Sequence, residues 1–345
     1  MAMPLTQRSV SGAMSGLLAL LLSACTSGAA PAQAPAPAPA QSGATAPAAL
    51  KLATWNLEWL IAPREFKTLT ASCVPRGARP RGRARSIPCD VATDLNRSQS
   101  DYAALARYAR QLDADVVALQ EVDGESAARL VFPDHEFCFT ARRAVQNTGF
   151  AIRRGLPYRC GRDLTALALD GSVRRGAELI VFPDEARELR LLSVHLKSGC
   201  GSRALDDPRR DCQTLARQVP ELERWIDAQA AAGRRFAVLG DFNRQLLSER
   251  GPARNGAGRL RNLWAEIDDG DPPEADLHNV ASGQPFRNCS PDQSFRGYID
   301  HIVVSKSLLA QLVPGSFERL TFEPSEALRR LLPDHCPVAI KFSLR

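Results

Sequence analysis

The chain has 345 residues, a formal net charge of +6 at pH 7 and nine cysteines. This length suits one large α/β domain after a leader, and no segment beyond the leader is apolar enough to span a membrane. No Cys-x-x-Cys pair occurs, which argues against a structural zinc site. The modest basic excess fits an anionic substrate without identifying one.

The first 25 residues have the pattern of an export signal, since Arg8 supplies positive charge and residues 16–22 form an apolar run too short to span a membrane. The ending Leu22-Ser23-Ala24-Cys25 resembles a bacterial lipobox, which implies lipidation of Cys25. The alternative is ordinary cleavage near Ala24, which would leave a secreted or periplasmic protein. By the same resemblance, Thr26 favours the outer membrane, facing the periplasm or the cell surface.

Residues 26–48 consist almost entirely of Ala, Pro, Gly, Ser, Thr and Gln. Such a segment cannot bury enough apolar surface to fold, and its prolines keep it extended. At about 3.1 Å per residue it would reach roughly 70 Å. We therefore expect a disordered tether, followed by a catalytic domain over residues 49–345.

Apolar patterning along this domain predicts many short strands and few helices. Strands are predicted at 51–57, 115–122, 137–140, 148–153, 164–169, 178–182, 189–196, 236–239, 299–305 and 338–344. Helices are predicted at 101–112 and 214–229, the second kinked or restarted at Pro220. Because most strands follow one another directly, we expect two packed sheets with helices outside them, rather than one doubly wound sheet.

Polar side chains suited to metal or phosphate chemistry stand at the ends of these strands. They are Asn56, Glu121, His195, Asp241 with Asn243, Asp300, and Asp334 with His335. A carboxylate at the end of a buried strand must be paired or bind a metal, and oxygen ligands suit Mg²⁺. An aspartate that hydrogen-bonds a histidine fixes its tautomer and raises its basicity, as we expect for Asp300 and His335.

Each of these residues also has a structural interpretation. Asn56 could form a turn, Glu121 could pair with an arginine, and His195 could be a satisfied polar residue at a strand end. Asp241 and Asn243 are two residues apart, so alternation places them on one face of a strand, but they could equally form a turn. The hypothesis of a site rests on all of them occurring together.

An arginine-rich insert follows the first predicted strand. Seven basic residues and one acid, Glu65, lie between Arg64 and Arg85. Its residues Arg79, Arg81 and Arg83 could follow a nucleic-acid backbone, or they could belong to a solvated surface loop. Behind His195, Lys197 is a further candidate for binding phosphate.

Without Cys25, eight cysteines remain, an even number that suits disulfides in an exported chain. Proximity along the chain favours four pairs over the many other pairings. They are Cys73–Cys89 across the insert, Cys138–Cys160 between two adjacent strands, Cys200–Cys212 across the loop after His195, and Cys289–Cys336.

In this order, the strand-end residues resemble those of the endonuclease/exonuclease/phosphatase superfamily. The phrases Thr54-Trp55-Asn56-Leu57-Glu58, Gly240-Asp241-Phe242-Asn243 and Asp334-His335-Cys336-Pro337 carry the resemblance, which extends from about Leu52 to the C-terminus. It implies an α/β fold, a four-layer α/β/β/α sandwich of two mostly antiparallel sheets with outer helices. It also implies a divalent cofactor, Mg²⁺ or Mn²⁺ with Ca²⁺ possible, which Glu121, Asp334 and Asn56 would hold.

The resemblance implies hydrolysis of a phosphodiester. His335, oriented by Asp300, would activate water, while His195 would donate a proton to the leaving group or bind the developing charge. Asp241 and Asn243 would position the nucleophile and the phosphate, although His195 and Asp241 could exchange roles.

The substrate stays open. We expect a monomeric endonuclease that acts on DNA, with RNA as the alternative. A lipid on Cys25 would be its only attachment to a membrane. The alternative is a phosphodiesterase on lipid headgroups or small phosphoesters, which the low aromatic content of 6% disfavours because such enzymes enter membranes through exposed aromatic side chains. A surface binding protein without activity is a minor alternative.

Overall fold

The computed structural model describes residues 49–75, 85–249, 262–290 and 293–344. The predicted signal with Cys25, the tether, and Arg79, Arg81 and Arg83 all lie outside the described residues. In the described part of the chain, no helix combines the length and apolar character needed to cross a bilayer.

Twelve strands form two mixed sheets of six strands each. The first sheet contains β1 (Leu50–Leu60), β2 (Val116–Val122), β3 (His135–Phe139), β4 (Asn147–Arg153), β11 (Glu318–Arg319) and β12 (Val338–Phe342), in the order β11-β12-β1-β2-β4-β3. The second contains β5 (Tyr158–Cys160), β6 (Ala177–Val181), β7 (Leu189–His195), β8 (Arg235–Asp241), β9 (Leu277–Asn279) and β10 (Asp300–Ser305), in the order β5-β6-β7-β8-β10-β9.

The helices lie in the connections between the strands. They are α1 (Pro63–Thr70), α2 (Cys89–Asp94), α3 (Gln99–Leu112), α4 (Glu125–Val131), α5 (Arg210–Ala231), α6 (Trp264–Ile267), α7 (Lys306–Leu309) and α8 (Pro324–Ala327). Short 3₁₀ turns occupy Thr165–Ala168, Leu246–Ser248 and Pro273–Ala275.

Three apolar cores stack these elements into four layers. Leu52 of β1 and Leu191 of β7 belong to the core between the two sheets. The next residue of β1, Ala53, points to the other face, where the core includes Leu105 of α3. The outer face of the second sheet packs its own core against Leu222 of α5. These layers confirm the expected sandwich.

Strand direction brings the polar strand ends to one edge of the molecule. The pairs β1–β2 and β7–β8 are parallel, while the other strand pairs are antiparallel. His195 is therefore opposite Asp241 in the register of β7 and β8, and Asp300 at the start of β10 is also opposite Asp241. A Cβ at Gly240 would lie 2.0 Å from the carbonyl oxygen of Val194, so only glycine permits this approach beside Asp241.

Some elements differ from the predictions. The predicted strand at 164–169 is wrong, because Thr165–Ala168 is a 3₁₀ turn. Leu164 and Leu167, three residues apart, both pack in the α5 core, a spacing that a 3₁₀ turn satisfies and a strand does not. The predicted restart at Pro220 is also wrong, since α5 is continuous from Arg210 to Ala231.

All four predicted disulfides are present: Cys73–Cys89, Cys138–Cys160, Cys200–Cys212 and Cys289–Cys336. The expectation that Cys138–Cys160 links two adjacent strands is wrong. Cys138 lies in β3 and Cys160 in β5, which are edge strands of different sheets, so this bridge joins the two sheets rather than adjacent strands.

Candidate active site

A cavity of about 340 Å³ opens at the edge where the strand ends meet. Six of the predicted site residues line it: Glu121, His195, Asp241, Asn243, Asp334 and His335. Asn56 and Asp300 contact these residues from behind. The structure therefore brings eight of the predicted residues together from both sheets.

His335 is held by contacts on several sides. Its Nδ1 donates to Asp300 Oδ2 at 2.8 Å, and its carbonyl accepts from Trp55 Nε1 at 3.0 Å. The ring of Phe295 lies 4.9 Å from the imidazole, centroid to centroid, and the next residue is bonded to Cys289. These contacts fix the tautomer and leave Nε2 facing Asp241 Oδ2 at 4.0 Å.

Burial alone would lower the pKa of His335. The charge and hydrogen bond of Asp300, with smaller contributions from Asp241 and Asp334, instead raise the pKa well above 6.5. Nε2 therefore holds a proton strongly while these carboxylates are ionised.

Asp241 lies between the two histidines. Its carboxylate accepts from Asn56 Nδ2 at 3.1 Å and from the backbone nitrogen of Asn243 at 2.7 Å, and its Oδ2 is 3.4 Å from His195 Nε2. Burial, partly offset by the His335 charge and reinforced by Asp300, raises its pKa to about 7. The protein's own cations thus leave its negative charge incompletely compensated.

Glu121 is anchored at the end of β2. It accepts hydrogen bonds from the backbone nitrogen of Trp59 at 3.3 Å and from the Gln146 side chain, and its Oε1 is 3.7 Å from His195 Nε2. Asn56 Nδ2 lies 3.5 Å from the same oxygen. The backbone of Glu121 has a φ of 59°, which turns the strand end toward the cavity at a conformational cost.

Unlike His335, His195 has a lowered pKa, although it also lies near the carboxylates of Asp241 and Glu121. Burial, then the positive charges of Arg174, His335, Arg142 and Lys197, lower its pKa well below 6.5. Within the described residues, its Nδ1 has no hydrogen-bond partner. His195 is therefore neutral near pH 7.

Three residues of this site were missed by the sequence analysis. Arg174 lines the cavity, forms no ion pair with a described carboxylate, and donates to Gln146 Oε1 at 2.6 Å. Gln146 in turn donates to Glu121, so the two form one hydrogen-bonded chain. Both lie in loops with no local pattern that would have identified them.

The third is Glu58, which lies within the quoted Thr54–Glu58 phrase. Burial and the neighbouring Asp334 charge raise its pKa to about 7, despite an ion pair with Arg97 at 3.6 Å. Its φ of 43° directs the chain into the cavity wall. The sequence could have identified Glu58, because this acid lies only two residues after Asn56.

Two basic candidates lie elsewhere. Lys197 pairs with Asp211 at 2.8 Å and does not line the cavity. In the insert, Arg85 is paired with Asp123, and α2 contributes Asp90 and Asp94 to the cavity wall. No described basic residue of the insert therefore lines the active-site cavity, whereas α2, which follows the insert, brings two aspartates to it.

The donor set suits a divalent cation. The carboxylates of Glu121 and Asp334 line one cavity with the Asn56 carboxamide behind them, and oxygen donors are what Mg²⁺ prefers. Ligand atoms of Asp241, Asp300 and His335 also lie within 4.8 Å of one another. Burial, with the nearby charges of Asp300 and Glu121, raises the pKa of Asp241, and a cation bound here would favour its ionised form.

The model of the endonuclease/exonuclease/phosphatase family matches residues 53–321. Because this match covers most of the chain, the protein belongs to that family, whose members hydrolyse phosphoester bonds. No curated protein sequence matches the chain.

Solved structures with the same fold share little sequence with this chain. An AP endonuclease from Archaeoglobus fulgidus is 12% identical, with a TM-score of 0.53, covering 85% of this chain and 99% of that one. D. rerio TDP2 complexed with a single-strand DNA product is 15% identical, with a TM-score of 0.52, covering 86% and 99%. An endonuclease/exonuclease/phosphatase from Bacteroides vulgatus is 15% identical, with a TM-score of 0.50 and the same coverage.

Proposed function

We propose that this protein is a metal-dependent phosphodiesterase that cleaves nucleic acid, with DNA favoured over RNA. The observation that carries the proposal is the His335–Asp300 pair, which leaves the His335 Nε2 facing the same cavity as Glu121 and Asp334. A fixed, basic imidazole beside a cluster of oxygen donors is the arrangement that activates water for attack on a phosphate.

Glu121 and Asp334, with Asn56 in support, would hold Mg²⁺, and Mn²⁺ or Ca²⁺ would suit the same oxygen donors. When bound, the cation would polarise the phosphoryl oxygen and stabilise the leaving alkoxide. Gln146 and the backbone nitrogen of Trp59 orient Glu121 for this task.

In its deprotonated form, His335 would take the proton of the attacking water at Nε2 while Nδ1 keeps its hydrogen bond to Asp300. Asp241 and Asn243, fixed to each other at 2.7 Å, would orient the water and the phosphate. His195 has two proposed roles, and its lowered pKa supports the binding role, in which Nε2–H donates to the developing negative charge. Arg174 would add a permanent cation to the same side.

The substrate proposal has separate support. The D. rerio TDP2 neighbour holds a DNA product and the A. fulgidus neighbour is an AP endonuclease, although at this identity they show the fold alone. The net charge of +6 and the arginines near the cavity suit a polyanion.

We propose export through the signal at residues 1–25 and anchoring at Cys25, with the tether holding a monomeric domain away from the outer membrane. The four disulfides support export, because such bonds form in oxidising compartments. Globomycin treatment of expressing cells tests the anchor, and a Cys25→Ser chain that fractionates with membranes like the wild type would contradict it.

A substrate panel tests the activity. The chain is incubated with plasmid DNA, RNA, sphingomyelin vesicles and bis(p-nitrophenyl) phosphate, each with Mg²⁺, Mn²⁺, Ca²⁺ or EDTA. We expect cation-dependent DNA cleavage whose rate falls steeply with salt. Turnover of sphingomyelin without cleavage of either nucleic acid would contradict the proposal.

A further inference from the structure

A second, larger depression lies beside the active-site cavity. It has a volume of about 590 Å³ and is lined by Arg85, Asp123, Gly124, Phe139, Thr140, Arg142, Arg143, Ala144 and Asn147. We call it the β3–β4 groove, because the end of β3, the following loop and the start of β4 form most of its wall. None of its lining residues was assigned a role in hydrolysis.

The groove is connected to the active site through Gln146. Arg142 donates to the Gln146 carbonyl at 3.2 Å, while the Gln146 side chain binds both Arg174 and Glu121. Asp123 and Gly124 follow Glu121 almost directly along the chain. The groove therefore adjoins the active site, so the two can contact one substrate strand.

The groove is a site of unbalanced positive charge. Within the described residues, no carboxylate lies within ion-pair distance of Arg142 or Arg143, and Asp123 is neutralised by Arg85. Burial, then the charges of Arg174 and Arg175, lowers the pKa of Arg142, which shows that the cations repel one another. An anion bound here would relieve that repulsion.

The groove also offers an aromatic surface and polar atoms. Phe139 is half-buried on its wall, stacked on Phe137 with centroids 6.2 Å apart. Thr140 and Asn147 are each only 6% exposed, and among the described residues Thr140 Oγ1 and Asn147 Oδ1 have no hydrogen-bond partner. Such buried atoms cost stability unless a ligand or solvent uses them.

We propose that the β3–β4 groove binds the nucleotide next to the scissile phosphate, with Arg142 and Arg143 on its phosphate and Phe139 against its base. This inference rests on the proposed function and narrows the substrate to a nucleic-acid strand. A single-phosphate headgroup has no second phosphate for the arginines and no base for the ring.

Binding can be measured without hydrolysis. The anisotropy of a fluorescent single-stranded oligodeoxynucleotide is followed in EDTA, with the full chain as wild type, as R142Q/R143Q and as Phe139→Leu. Phe139→Leu keeps apolar volume and removes the ring. The matched control is Arg154→Gln, an exposed arginine beyond the opposite end of β4.

We expect R142Q/R143Q to bind at least about tenfold more weakly and to lower the slope of log affinity against log salt by about one. Phe139→Leu should bind about tenfold more weakly with an unchanged slope. Arg154→Gln should bind as the wild type does. Wild-type affinity in R142Q/R143Q, or an equal loss of affinity in Arg154→Gln, would overturn the proposal that the groove binds the nucleotide.

This test separates the two proposals. Groove-dependent binding by a chain that hydrolyses no nucleic acid in Mg²⁺, Mn²⁺ or Ca²⁺ would contradict the proposed function alone. If the chain cleaves DNA but substitutions of Arg142, Arg143 and Phe139 leave its oligonucleotide affinity unchanged, only the proposal for the groove would be contradicted.

Discussion

The two sides of the active-site cavity are built for opposite charges. On the carboxylate side, His335 contacts Asp300 and lies near Asp334, and its pKa is raised well above 6.5. On the arginine side, His195 is close to Arg174, and its pKa is lowered well below 6.5. Two imidazoles in one cavity thus differ in their protonation at neutral pH, with Asp241 between them.

This difference assigns tasks to the two sides. The carboxylate side would hold a cation and accept the proton of the attacking water, while the arginine side would hold the anionic phosphate. Two substitutions separate the sides, and a third tests a histidine outside the cavity.

The largest loss of activity is expected from a substitution on the carboxylate side. Asp300→Asn removes the charge that most raises the pKa of His335, so that pKa falls. If deprotonated His335 is the base, the acid limb of the pH–rate profile moves to lower pH, and kcat drops about 100-fold because the ring loses its orientation. Steady-state hydrolysis of bis(p-nitrophenyl) phosphate across pH measures both. An acid limb at the wild-type pH would contradict the assignment of Asp300 as the residue that raises the pKa of His335.

A smaller effect is expected on the arginine side. Arg174→Gln should lower kcat/KM about 10- to 100-fold, the value of one charge-assisted hydrogen bond. The pKa of His195 should rise, because Arg174 is its largest electrostatic depressant. Histidine NMR titration follows that pKa, and the control is Arg175→Gln, whose arginine is paired with Asp163 at 2.9 Å. Equal losses in the two variants would contradict the assignment.

The third prediction concerns stability rather than catalysis, at a histidine outside the cavity. His301 Nε2 donates to the Arg244 carbonyl at 2.8 Å, Nδ1 accepts from Asn279 at 2.9 Å, and burial lowers the pKa to about 4. Its ordinary value is 6.5, so between pH 6.5 and 4 the unfolded chain binds the extra proton and stability is lost as the pH falls.

That loss should amount to about 3 kcal/mol in the free energy of unfolding. Urea unfolding of the disulfide-intact protein at several pH values measures it, with His301→Gln as the comparison. The substituted chain should lose less stability across this range than the wild type. Parallel losses in the two chains would show that His301 does not titrate as proposed.

Much of the site could be predicted because its polar residues directly follow or precede buried apolar runs, although β1 continues past Asn56 to Leu60. Asn56, Glu121, His195 and Asp241 follow buried runs whose ends the parallel pairs bring together. The disulfides were predictable from chain proximity. Alternation places His301 on the face opposite Asp300 and predicts a structural role, which its buried hydrogen bonds to Asn279 and Arg244 confirm.

The rest depends on long-range packing. Arg174 and Gln146 lie in loops from different sheets and meet Glu121 only in the folded chain. Glu58 enters the cavity through a left-handed backbone turn that no apolar pattern signals. Cys138 and Cys160 lie close in sequence, so their place on separate sheets could not be inferred from spacing.

The most direct measurement compares His335→Ala with His278→Ala, a matched change on edge strand β9 outside the cavity. Both chains are checked for wild-type melting temperature and assayed for Mg²⁺-dependent cleavage of plasmid DNA. We predict that His335→Ala loses on the order of 10³-fold in rate while His278→Ala keeps wild-type turnover. Near-wild-type cleavage by a folded His335→Ala chain would contradict the account.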